Sequence, residues 1–168
     1  MELPGSSYLY ALATVSITFA AFSALVLIFR QAMGSGVTEY ESYFMLTFIR
    51  AGFIVTAGSL LPPALALYGL SHTTVWRLSS VIMAIPVLVF VVTLPGRRRA
   101  ASRHRIPLYV WMLLFLQLLI VCYLLLNAIG KPVAPGVAPY AAAMTGVLFT
   151  SGVAYLLALA TVLREPSK

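Results

Sequence analysis

The chain has 168 residues, 61% of them hydrophobic and only 9% charged, with a net charge of +7. A soluble domain carries about a quarter of its residues charged, so a water-soluble globule is excluded. Stretches 85–92 and 113–126 do not alternate polar with apolar residues, which excludes an outer-membrane barrel.

Five apolar stretches remain, at 8–29, 44–70, 74–94, 107–129 and 138–163. Each reaches the roughly 20 residues that a helix needs to cross a hydrocarbon core about 30 Å thick. The expected fold is an all-α integral membrane protein, one polytopic domain over 1–168 with about five transmembrane helices. The first stretch follows a leader whose only charge is Glu2, and its apolar run continues to Arg30. It is expected to stay as an anchor rather than be cleaved, because a signal peptide begins with positive charge and has a shorter core. Ser16, Ala20 and Ala24 recur in it every four residues. Small residues at that spacing let two helix backbones approach closely.

The connection 31–43 holds Gly34, Ser35 and Gly36, then Glu39 and Glu41. Carboxylates there favour the positive end of the next helix, and two alone are too few for a calcium-type site. The second stretch carries Arg50 about two turns in and Pro62–Pro63 near its far end. The double proline predicts a kink or break, with 64–70 at a different angle. Arg50 is expected to extend its head to the phosphates; anion contact, or pairing with Glu39, is the alternative. The third stretch opens with Trp76 and Arg77, usual anchors at an interface, and has Pro86 near its middle.

The segment GRRRAASRHR at 96–105 places Arg97, Arg98, Arg99, Arg103 and Arg105 in one short connection. Basic loops stay in the cytoplasm. Alternation then puts the N-terminus outside and the C-terminus inside, with eight basic residues inside and Lys131 alone outside. These arginines are expected to contact anionic headgroups of the inner leaflet. The segment is short and lacks aromatics, so nucleic acid is not an expected partner. His72, Arg77 and Lys131 gather at the other side, as ordinary interfacial residues or as a patch for a small anion.

The fourth stretch is interrupted by Gln117 and Asn127, which either line a path or bond helices together. Its Cys122 is the only cysteine, so an intrachain disulfide and CxxC chemistry are ruled out. After a Pro- and Gly-rich connector at 130–137, the fifth stretch repeats Ala142, Gly146, Thr150, Ala154 and Ala158 every four residues. This predicts one very close helix contact, within the bundle or between subunits.

No protease, P-loop or zinc signature is present, and no span holds an acidic residue. The pattern resembles small bacterial inner-membrane proteins. The expected role is a non-enzymatic subunit or accessory of a membrane complex, without a cofactor, working by helix packing with copies of itself or with another membrane protein. The alternative is a homo-oligomeric channel or transporter for a small ion or solute, with Arg50, Arg77, Gln117 and Asn127 as candidate lining or anion-contacting groups.

Overall fold

A computed structural model describes residues 3–32, 39–101, 107–131 and 134–162. The described residues form five helices: α1 (Ser6–Ala32), α2 (Glu39–Ala66), α3 (His72–Ala101), α4 (Leu108–Ile129) and α5 (Val137–Val162). They contain no strand. All five helices are long and apolar enough to cross a membrane. The 22 residues of α4 rise about 33 Å at 1.5 Å each, close to the hydrocarbon thickness.

Local chemistry sets the helix ends. Ser71 opens α3 by accepting the Thr74 N–H at 3.3 Å on its Oγ, a helix cap of the usual kind. Pro107, extended at φ −63° and ψ 153°, precedes α4. Gly130 closes it at φ 81°, and its N–H and that of Lys131 both bond to the Leu126 carbonyl. A left-handed glycine at this point is the ordinary way a helix ends.

Two expectations are corrected here. Helix α2 is not broken at Pro62–Pro63 but continues to Ala66, and a short turn with Gly69 at φ +71° follows. Pro62 cannot donate to the carbonyl of Gly58, four residues back. The hydroxyl of Tyr140 on α5 donates to that carbonyl instead, at 2.7 Å. A neighbouring helix thus satisfies the acceptor that the proline frees, which is how a transmembrane helix tolerates proline. Secondly, α3 does not stop near Leu94. It runs through Pro86 and Pro95 to Ala101, so Arg97–Arg99 belong to its last turns and not to a loop.

In space α2, α3, α4 and α5 form a closed ring, each packed on the next and α5 back on α2. Helix α1 lies outside the ring, mainly against α2. That contact is close. A methyl at Gly52 would stand 2.7 Å from the Ala20 side chain and 2.9 Å from the Ser16 carbonyl. Ser16 and Thr56 share a hydroxyl hydrogen bond of 2.8 Å across it. Apolar side chains gain little by leaving lipid for protein, so such close backbone approach and hydrogen bonding carry the association. The ring's interior is filled, away from the arginines, by Val55, Val87, Leu124, Tyr140 and Met144, all at most 1% exposed. At the arginine end Phe19, Phe48 and Tyr155 form an edge-to-face triad joining α1, α2 and α5, with centroids 4.8 to 6.4 Å apart. Cys122 lies on the outer surface, mid-way along α4.

Candidate functional site

The polar side chains inside the ring fall into two zones. In the half away from the arginines, Asn127 is buried. Its Nδ2 donates to Ser80 Oγ at 2.8 Å, and its Oδ1 accepts the Gly136 N–H at 3.1 Å. One amide therefore ties α4 to α3 and to the connector before α5. Both its donor and its acceptor face protein partners, so it bonds these elements together. Arg77, His72 and Lys131 are exposed at this same end.

The other zone is a cavity of about 60 Å³ on the ring axis at the arginine end. Helix α2 contributes Tyr43, Phe44, Thr47 and Phe48; α3 contributes Phe90, Leu94 and Arg98. Helix α4 contributes Tyr109, Val110, Leu113, Leu114 and Gln117, and α5 contributes Thr150, Ser151 and Ala154. Along α4 the lining runs from Tyr109 to Gln117, eight residues of helix that span about 12 Å.

Four of the hydroxyl groups around this cavity donate to backbone carbonyls. Tyr43 donates to Leu94 at 3.2 Å, Thr47 to Tyr43 at 2.8 Å and Ser151 to Val147 at 2.8 Å. Thr150 donates to Gly146 at 2.8 Å. Its oxygen is then left to accept, and Gln117 Nε2 donates to it at 3.1 Å. Gln117 thus presents its Nε2 to Thr150. Its Oε1 is the end turned away from Thr150, and no donor among the described residues reaches it although it is buried.

Arg98 is 8% exposed, and its guanidinium lies 5.4 Å from the Phe44 ring centroid, a cation–π distance. This departs from the expected headgroup contact. Because α3 continues through Pro95, successive arginines turn by 100°, and Arg98 falls seven residues after the buried Val91. Arg97 and Arg99 are exposed on either side, where headgroups are within reach. Arg103 and Arg105 lie outside the described residues.

Arg50 is exposed on the outer face of α2, so it lines no interior space of this chain. The same rotation that buries Gly52 and Ser59 carries it outward. The Glu39 side chain, its alternative partner, is outside the described residues. The two small-residue stripes have separate fates. Ser16 and Ala20 are buried against α2 and Ala24 is half-buried. On α5, Ala142 is exposed, Gly146 meets Ile120 of α4, Thr150 is buried, and Ala154 packs on the aromatic triad. The Ala158 side chain is outside the described residues. A four-residue step advances 40° beyond a full turn, so the stripe spirals from the surface into the bundle and its centre is taken up by α4.

Tyr43, Tyr140 and the inward Arg98 were not legible as site residues. A heptad from Val91 to Arg98 is present in the sequence, and it becomes visible once α3 is continued past Pro95.

The closed ring and the apolar outer faces of its helices define a multi-pass α-helical membrane protein. Compared with protein-family models, curated proteins and solved structures, the chain matches none.

Proposed function

We propose that this protein is a non-enzymatic subunit or accessory of a membrane complex, seated in a bacterial inner membrane with its N-terminus outside and its C-terminus in the cytoplasm. The sealed half of the ring carries this reading. Val55, Val87, Leu124, Tyr140 and Met144 fill the axis, and the cavity at the arginine end stops at Gln117 and Thr150. Among the described residues of a single copy, the ring axis thus offers a solute no route from one end to the other. A channel would have to form between copies, and of the α5 stripe that favoured such an interface Gly146 meets Ile120, Thr150 meets Gln117 and Ala154 packs on the aromatic triad within the chain.

Extraction in mild detergent from the native membrane, followed by native mass analysis, tests the proposal. The expected result is a defined complex with a different membrane protein. A pure homo-oligomer that conducts small ions in liposomes would overturn it in favour of a channel.

A further inference from the structure

We propose that the outward face of α2 is a docking site for a transmembrane helix of a different membrane protein, one that carries an Asp or Glu opposite Arg50. The inference rests on the subunit reading above and adds to it a surface and the chemistry of the partner.

Helix α2 packs on α1, α3 and α5. Helices α1 and α5 also meet each other, but α1 and α3 do not among the described residues. The side of α2 left open is therefore a cleft between α1 and α3. Leu46, Arg50, Phe53, Ala57, Leu60 and Ala64 are exposed along it. They follow one another at alternating steps of four and three residues, so a single line of side chains forms the floor. Ala57 and Ala64 are small, which lets another helix backbone come close.

Arg50 decides what that helix must bring. From Ser42 it lies eight residues, about 12 Å, into the 25-residue span Ser42–Ala66. The other charged side chains among the described residues stand near helix ends. A guanidinium does not shed its charge. Ionisable groups inside spans almost always face the interior of a bundle and pair there. Arg50 faces out of this bundle and has no hydrogen bond or ion pair among the described residues. Its position becomes an interior one once a further helix fills the cleft, and a carboxylate on that helix compensates the charge. A second copy does not supply it. Glu2, Glu39, Glu41 and Glu165 are the acidic residues of the chain, and none lies within a span.

The test puts the photoreactive residue p-benzoylphenylalanine in place of Phe53, one turn from Arg50 on the same face, in the full chain in its native membrane. Phe115, exposed on α4, is the control position. The expected result is a crosslink from position 53, and not from 115, to one membrane protein, within a span of it that holds an Asp or Glu. Capture should fall at least about tenfold in Arg50→Gln, the scale on which close charge pairs are coupled. It should fall likewise when the partner's carboxylate is changed to its amide. Exchanging the two charges, Arg50→Glu against an arginine on the partner, should restore it. Crosslinks to lipid alone would mean that Arg50 reaches the headgroups and would overturn the proposal. Crosslinks to a second copy alone, a captured span without an acidic residue, or capture unchanged in Arg50→Gln would overturn it as well. A complex with a different protein, seen by native mass analysis but never crosslinked from position 53, would sink this surface and leave the subunit reading standing. A pure homo-oligomer would remove both.

Discussion

Asn127 shows how much one side chain does in a solvent that offers no hydrogen bonds. Its amide donates to Ser80 and accepts from the backbone of Gly136. Removing it leaves the Gly136 N–H without that acceptor and Ser80 without that donor. Interhelical hydrogen bonds in membranes contribute about 0.6 kcal/mol on average and up to about 1.7. Asn127→Ala, which breaks two contacts, should lower stability by about 1–2 kcal/mol in a denaturant titration in mixed micelles. An unchanged midpoint would mean that other groups replace both contacts. Gln117 is the contrasting case. One end of its amide donates to Thr150, and the other, Oε1, is buried and meets no donor among the described residues, so what it shows is one bond joining α4 to α5.

At the scale of the helix, prolines and a tyrosine act as a unit. Pro62 removes a donor from α2, and Tyr140 of α5 supplies another to the Gly58 carbonyl. The partnership makes a specific prediction of coupling. Tyr140→Phe should cost about 1–2 kcal/mol, since it strands a buried carbonyl. The same change in a Pro62→Ala background should cost clearly less, because residue 62 then carries an N–H for that acceptor. A double-mutant cycle measured by unfolding reads the difference directly. Strict additivity would show that the tyrosine does not serve the proline. A proline predicts a lost hydrogen bond reliably, but whether the helix breaks depends on what lies opposite.

For the whole molecule, charge placement is what links the ring to the membrane. The proposed orientation puts the α2–α3 turn outside and the end of α3 inside. In a Cys122→Ala background, Ser71→Cys should react with an impermeant maleimide on intact cells. Arg97→Cys should react only after the membrane is opened. Arg98→Cys should then still react at least several-fold more slowly than Arg97→Cys, because residue 98 faces the ring interior. Reversed accessibility of residues 71 and 97 would invert the orientation. Equal rates at 97 and 98 would show that α3 ends before the arginines.

Much of this architecture is written in the sequence because the bilayer imposes it. A span must be helical and about 20 apolar residues long to satisfy its backbone in hydrocarbon, so the number and approximate limits of the helices follow from composition alone. The small residues Ser16 and Ala20 likewise mark a close contact, since only small side chains permit it. Where helices pass one another is decided differently. Lipid-facing and protein-facing positions are equally apolar, so periodicity does not separate the outward Arg50 from the inward Arg98, nor tell that the α5 stripe winds inward onto Ile120. Those placements depend on the rotation of each helix about its axis. That rotation is fixed only when Gly52 seats on Ala20, Tyr140 reaches Gly58 and Asn127 finds Ser80. The sequence by itself determined a five-helix membrane protein. Tertiary packing alone decided which half of the ring is filled and which polar groups meet in the cavity, because those are properties of pairs of helices and not of any one span.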